Sequence, residues 1–519
     1  MNLNIRSGKT LTLTASQQSD SNRSRPSPRP LLGRRPFLGL FGGLFGGVLG
    51  ALALPGGGAW AAGQSKTTNG LESGSLGYFL FDPDSGRALE EQAADTAFIP
   101  ASVAKLPTVA AALALLGPDH RFATRLLGTG PLEGGVLRGD LILQGGGDPA
   151  LATEGLLQLL GALGAAGLRR VEGRFLYDTA LLPELAEIDS GQPWAAPYNT
   201  GVGALSLNYN RALLNWRRGG TPAGPDALTV ADAGRLPLDS VTVRPLAAGG
   251  GFPLLPDGVD RWLMAPPSSG EAGAAWVPVA RPGLAAATLF RRLAADAGIA
   301  LPAPVVGSGA AGAPSGAAAL AVLDSLPLAE LARGLLRHSN NLSAEVIGLA
   351  ASSRLEPSRP EAPATTLDRS AGLLQRWLTR QPIGGMNWNG SWNGLRLANH
   401  SGLGTGSRAT PRQMAALLQA GGPALWDLLP GEEDGKALPP GVHAKSGTLA
   451  YVKGLAGLLT AASGRRLGFV LFIADPARRA AMDAALDRRV TATPAEARAW
   501  AAGAGRLQGQ ILERWVSTY

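Results

Sequence analysis

Phe98-Ile-Pro-Ala-Ser102-Val-Ala-Lys105-Leu-Pro-Thr-Val-Ala-Ala-Ala-Leu-Ala-Leu-Leu116 is the stretch on which this sequence turns. From residue 101 to 116 it is almost wholly Ala, Leu and Val, with no glycine until Gly117, a pattern that predicts a buried helix. Ser102 and Lys105 are three residues apart, so on a helix they share a face and the amine reaches the hydroxyl. A serine alone is a poor nucleophile and needs a base. Free lysine, with a pKa near 10.4, is neutral in only about one molecule in 2,500 at pH 7. Burial in an apolar helix face, or a second cation nearby, favours the neutral form. Lowering the pKa by about three units costs roughly 4 kcal/mol, which a packed site can supply. The chain holds 6 lysines among 47 basic residues, and the Ser-x-x-Lys spacing occurs once. Pro107, two residues beyond Lys105, is expected to distort the start of this helix.

Two further clusters carry the same kind of chemistry. Lys445-Ser446-Gly447-Thr448 precedes a strand pattern that ends in Leu455-Ala-Gly457. A lysine at a strand edge can hold a carboxylate, and the glycine lets a substrate backbone approach closely. Backbone N–H groups of Ser102 and Thr448 would then form an oxyanion hole. Ser339-Asn340-Asn341 falls in the middle of a helical pattern running from Leu326 to Ala351. Ser-x-Asn alone is weak, since Ser206-Leu-Asn208 and Ser391-Trp-Asn393 also match. Position between the other two clusters selects Ser339.

Composition removes several alternatives. With 0 cysteines there is no disulfide, no thiolate metal site and no cysteine nucleophile. The 4 histidines form no His-Glu-x-x-His pattern, so no metal site and no cofactor are expected. The net charge of +8 and pI near 10.1 invite a nucleic-acid reading. Residues 1–61, however, carry seven basic residues against the single acid Asp20, and so account for six of the eight charges. No basic patch is left in the remainder, and nucleic acid is not an expected partner. Arg34-Arg35-Pro-Phe-Leu38 opens a charge-free run, broken by six glycines, that leads to Ala59-Trp60-Ala61. That is the order of an export signal, twin-arginine-like, and it predicts a periplasmic or cell-envelope location. No later run is long enough to span a bilayer, so no stable membrane span is expected in the mature chain.

The rest reads as a mixed α/β chain. Leu76-Gly-Tyr-Phe-Leu-Phe81 is an apolar strand followed by the turn signal Asp82-Pro-Asp-Ser-Gly86. A helix is expected from Glu154 to Leu168, a strand-rich middle to about residue 305, and a Gly/Ala/Ser connector from Gly307 to Ala319. Gly454 to Ala474 reads as two strands split by Ser463-Gly464. Thr493-Pro494-Ala495-Glu496 predicts a capping box at the start of the last helix, with proline at its first position. The segment from Asp475 to Thr493 carries no recognisable motif.

Ser-x-x-Lys, Ser-x-Asn and Lys-[Ser/Thr]-Gly, in that order, form the motif set of β-lactamases and penicillin-binding proteins. Phe98-Ile-Pro-Ala-Ser102, Leu141-Ile-Leu-Gln-Gly-Gly-Gly-Asp-Pro149, Ala204-Leu-Ser-Leu-Asn208 and Ser401-Gly-Leu403 with Thr410-Pro411 narrow the likeness. The chain resembles the class C low-molecular-mass penicillin-binding proteins of type 4, a D-alanyl-D-alanine carboxypeptidase/endopeptidase family. The separation of 237 residues from Ser102 to Ser339 sets this branch apart from β-lactamases, in which these motifs lie far closer. The resemblance implies a transpeptidase-like domain, an antiparallel sheet flanked by helices, at residues 62–122 and 321–519. Inserted strand-rich domains, one nested in the other, would occupy 123–320. It further implies Ser102 as the acylated nucleophile and Lys105 as its base. Ser339 and Asn341 would move a proton and hold the substrate amide. Lys445 and Thr448 would bind the terminal carboxylate and Gly447 would leave room for it, with Ser446 also in the substrate-binding set. The implied partners are a peptidoglycan stem peptide ending in D-Ala-D-Ala, and β-lactams that acylate Ser102. Asn340 stands where the family usually has aspartate, and Ser446 where threonine is commoner. A β-lactamase or esterase on the same scaffold, and a non-catalytic cell-wall binder, are the competing classes. No Gly-x-Ser-x-Gly elbow is present to favour an α/β-hydrolase esterase.

Overall fold

The strand Ser75–Phe81 (β1) alternates its side chains between two cores. Phe79 and Phe81 face one and Tyr78 and Leu80 the other, so a sheet buried on both faces reads as an unbroken apolar run. The computed structural model describes residues 12–13, 74–217, 223–228, 235–246, 254–264, 272–307, 317–356, 366–381 and 391–519. Apart from residues 12–13, the expected export leader at 1–61 lies outside the described residues, as does most of the Gly/Ala/Ser connector. Among the described residues no helix is long and apolar enough to cross a membrane.

β1 belongs to a five-stranded antiparallel sheet with Ala88–Gln92 (β2), Val442–Leu449 (β3), Val452–Thr460 (β4) and Arg466–Ala474 (β5), in the order β3-β4-β5-β1-β2. The chain thus closes its central sheet by pairing its first strands with its last. One face packs on a helical layer: Lys105–Leu116 (α1), Leu328–His338 (α2), Asn341–Ser353 (α3), Leu367–Leu378 (α4) and Pro411–Trp426 (α5). The other face packs on Ala495–Thr518 (α6), whose Trp515 is fully buried against Tyr78 and Phe469.

The segment between α1 and α2 builds sheets of its own. Ala318–Asp324, Ala123–Gly128, Leu141–Gln144, Phe175–Asp178 and Pro304–Val306 lie side by side in that order, with Thr12–Leu13 alongside the first. Between these strands in sequence fall a four-stranded sheet drawn from residues 211–278 and a three-stranded sheet drawn from 242–264. Among the described residues none of these strands joins the five-stranded sheet.

Four local expectations need correction. The helical pattern from Leu326 to Ala351 is two helices, because Ser339 adopts a left-handed conformation (φ 53°) that ends α2. Asn340 then caps α3, its Oδ1 accepting the Ser343 N–H at 2.9 Å. Lys445 to Thr448 lie within β3 rather than ahead of a strand. Pro107 leaves α1 undistorted because it sits in the first turn, where its missing N–H would have no intrahelical partner anyway. The capping box at α6 does not form: Pro494 occupies the cap position, and Glu496 instead accepts the Tyr451 phenol at 3.0 Å.

Candidate active site

Ser102 sits in a single 3-10 turn, Ala101–Ala104, immediately before α1. Residues three apart eclipse each other in a 3-10 turn. The Lys105 Nζ accordingly lies 3.0 Å from the Ser102 Oγ. Ala101, the residue before the nucleophile candidate, has φ 47°, a strained value for a residue with a side chain. Its carbonyl is pressed by Gly402 so closely that a Cβ on Gly402 would stand 1.9 Å from that oxygen; only glycine fits, and φ 70° there also calls for it.

Lys105 is 0% exposed and has three partners. Besides Ser102 these are the Asn341 Oδ1 at 2.7 Å and the Ser401 carbonyl at 2.7 Å. Burial lowers its pKa to about 7, opposed in part by the charge of Glu345. A neutral amine has two N–H donors and one lone pair. With both donors directed to carbonyl oxygens, the lone pair is left for the Ser102 hydroxyl.

Glu345 is the site residue that the motifs miss. It lies one turn beyond Asn341 on α3 and is 0% exposed. Its carboxylate accepts the backbone N–H groups of His400 (3.0 Å) and Ser401 (2.9 Å). The loop so held turns its carbonyls the other way. Ser401 faces Lys105, and His400 accepts the Thr108 hydroxyl at 2.9 Å. Burial raises the Glu345 pKa, opposed by these donors and by Lys105. His400 is also buried, which drops its pKa to about 3; its neutral ring shares a 2.8 Å hydrogen bond with the Ser370 hydroxyl. One signal for Glu345 was in the sequence: it is the lone charge in the apolar run Leu342 to Ala351.

The opposite wall is β3, the edge strand of the sheet. A Cβ on Gly447 would stand 2.8 Å from both the Pro100 carbonyl and the Ser102 nitrogen, so the absent side chain lets the strand abut the nucleophile turn. Lys445, 1% exposed, donates to the neighbouring Ser446 carbonyl. Its pKa is well below the ordinary value, through burial first and then the charges of Lys105, Lys436 and Lys453. Ser446 and Thr448 are exposed. Ser339 is half-buried at the break between α2 and α3, two residues from Asn341. Among the described residues its hydroxyl has no hydrogen-bond partner in the protein.

A third wall comes from the segment around residues 187–199. The Tyr198 carbonyl accepts the Asn341 Nδ2 at 3.1 Å, and Gln192 Nε2 donates to the Leu403 carbonyl at 3.3 Å. Arg489, in the stretch without a motif, grips this segment from behind. It pairs with both Glu187 oxygens (2.8 and 3.0 Å), donates to the Gln192 carbonyl (2.9 Å) and stacks on Trp194 with 3.4 Å to the ring centre. Among the described residues no cluster of His, Cys, Asp and Glu could hold a metal ion.

Comparison with known proteins gives the family and the fold. The profile of the D-Ala-D-Ala carboxypeptidase 3 (S13) family matches residues 65–428, a span that includes Ser102, Lys105, Ser339 and Asn341 and stops short of Lys445. A D-alanyl-D-alanine carboxypeptidase of Actinomadura sp. (strain R39) is 28% identical over 431 residues, 76% of this chain and 77% of that protein. A carboxypeptidase of Mycobacterium tuberculosis is 27% identical over 433 residues, 79% of each chain. The crystal structure of penicillin-binding protein 4 of Haemophilus influenzae superposes with a TM-score of 0.67 at 21% identity, covering 85% of this chain and 98% of that one, so the two share a fold. The chain belongs to the D-Ala-D-Ala carboxypeptidase (S13) family of serine-type peptidases.

Proposed function

We propose that this peptidase trims or cleaves peptidoglycan stem peptides through an acyl-enzyme on Ser102. The observation that carries the reading is the Lys105 amine: 3.0 Å from the Ser102 hydroxyl, with its other contacts made to Asn341 and Ser401 and a pKa of about 7. Lys105 takes the proton of Ser102 as the Oγ attacks the carbonyl carbon that joins the last two D-alanines. The backbone N–H groups of Ser102 and Thr448 receive the oxyanion, each such donor being worth ~3–4 kcal/mol. The C–N bond then breaks, and the departing amine takes the proton held by the Lys105 ammonium, passed through the Ser339 hydroxyl. Asn341 holds the acyl-side amide, while Lys445, Ser446 and Thr448 hold the terminal carboxylate and Gly447 leaves room for it. Water then adds to the ester on Ser102 and frees the enzyme. No cofactor takes part.

The same groups would accept a β-lactam, whose acyl carbon and carboxylate match those of the peptide. The enzyme would work in the cell envelope, exported by the twin-arginine-like leader of residues 1–61, with residues 123–320 as inserted domains in a transpeptidase-like domain. The test is to label the purified protein with a fluorescent penicillin and sequence the labelled peptide. Label on a peptide containing Ser102, lost in Ser102→Ala, is the expected result. No label, or label on a peptide lacking Ser102, would overturn the reading.

A further inference from the structure

The mechanism leaves one lysine at the site unused. Lys453 lies on β4 directly opposite Thr448 on β3, so the two side chains share a face of the sheet. Its Nζ donates to the Thr448 Oγ1 at 3.0 Å. The stem of Lys453 runs against α6 at Gly505, where a Cβ would meet its Cε at 3.6 Å. The ammonium is therefore held from both ends: α6 supports the stem and Thr448 receives the head.

What this ammonium lacks is an acid. Among the described residues no carboxylate lies within ion-pair distance of Lys453, whereas Lys105 has Glu345 and Lys436 has Asp434 as compensating charges. Burial lowers the Lys453 pKa with no acid opposing it. Lys445, the other cation of this wall, is likewise without an acid and is fully buried among positive charges. Two lysines on adjacent strands, both uncompensated, flank the exposed hydroxyls of Ser446 and Thr448. A cation that donates to a threonine hydroxyl also leaves that hydroxyl's own proton free to point outward as a donor.

From this juxtaposition we infer that Lys453 is a specificity-determining residue, the second cation of a two-lysine anion site that selects a leaving residue bearing a free carboxylate. The inference rests on the acyl-enzyme reading above. Lys445 approaches the carboxylate from beneath the strand. Lys453 acts through the Thr448 hydroxyl, which it orients, and through its own charge at the rim. The discrimination is therefore between a carboxylate and a neutral amide at the same position, not between one side chain and another.

The experiment compares the full chain with Lys453→Gln and Lys453→Arg on two peptides, an acyl-D-Ala-D-Ala with a free C-terminus and the same peptide C-terminally amidated. Second-order acylation by benzylpenicillin and by its methyl ester is measured in parallel and reads the same difference without peptide turnover. Lys453→Gln should raise KM for the free carboxylate about tenfold with kcat changed far less, a loss of ground-state binding. It should leave the amidated peptide and the methyl ester unchanged, and Lys453→Arg should recover most of the loss. Equal losses on the charged and neutral partners, or no loss on the charged ones, would overturn the inference. Failure of the acyl-enzyme reading looks different: the unsubstituted chain itself would take no label at Ser102.

Discussion

The two lysines of the site are buried alike and partnered differently. Lys105, on the helical wall, contacts three oxygen atoms on three separate elements, the 3-10 turn before α1, α3 and the loop after residue 398. Lys445, on the strand wall, has its own neighbour's carbonyl and is pressed by three other lysines. The first arrangement is complete within the protein, the form expected of a base that must stand ready. The second is incomplete, the form expected of a group whose partner arrives with the substrate. Buried charges are otherwise costly unless paired. Burial alone therefore does not distinguish the two lysines; the number and origin of their oxygen partners do.

The largest effect should come from breaking the complete side. Lys105→Ala is expected to lower kcat/KM by about 10³-fold, the middle of the range for loss of general-base assistance. In the unsubstituted enzyme the amine must be neutral to act. Because its pKa is lowered to about 7, kcat/KM should be flat above that value and fall tenfold per pH unit below it. A rate unchanged from pH 8 to pH 5 would remove Lys105 from the role of base.

A smaller change sharpens the comparison. Glu345→Gln keeps the shape but removes the anion that favours protonated Lys105. The Lys105 pKa should fall further, and the acid limb of the pH–rate profile should move to lower pH. A glutamine cannot serve both loop N–H groups as the carboxylate does, so the fold should lose about 1–3 kcal/mol, read by thermal unfolding. An acid limb that stays in place would mean that the Glu345 charge is not felt at Lys105.

The smallest effect concerns the third wall. Arg489→Ala removes the grip on Glu187, Gln192 and Trp194, yet this segment touches the site through the Tyr198 carbonyl on Asn341 and the Gln192 amide on the loop. Partly exposed pairs of this kind are worth about 1 kcal/mol. KM should rise about fivefold with kcat little changed; an equal fall in kcat would mean that the wall sets the geometry of Lys105 as well.

The catalytic candidates were legible because they are short-range or ordered along the chain. Ser102 and Lys105 are three residues apart, the apolar run around them announces burial, and the three motifs stand in a fixed order. The scarcity of lysine sharpened this further: Lys105, Lys436 and Lys453 all bear on Lys445, so four of the six meet there. Glu345 was less legible, because a buried carboxylate and a solvent-facing one look alike until the loop it holds, some 55 residues away, is in place. Arg489 was illegible for the same reason at greater range, since its partners lie about 300 residues earlier. The break at Ser339 was hidden because leucine periodicity runs through both helices, and a left-handed residue leaves no mark in a hydrophobic pattern.

Local spacing and composition by themselves determined a serine–lysine pair on an apolar helix, the order of its companions, the separation that marks the branch, and a basic charge concentrated in residues 1–61. Which oxygens hold Lys105, and that Lys445 has only its neighbour's carbonyl, were decided only by the tertiary structure. Desolvation and hydrogen-bond direction belong to the packed site as a whole, and no residue carries either of them alone.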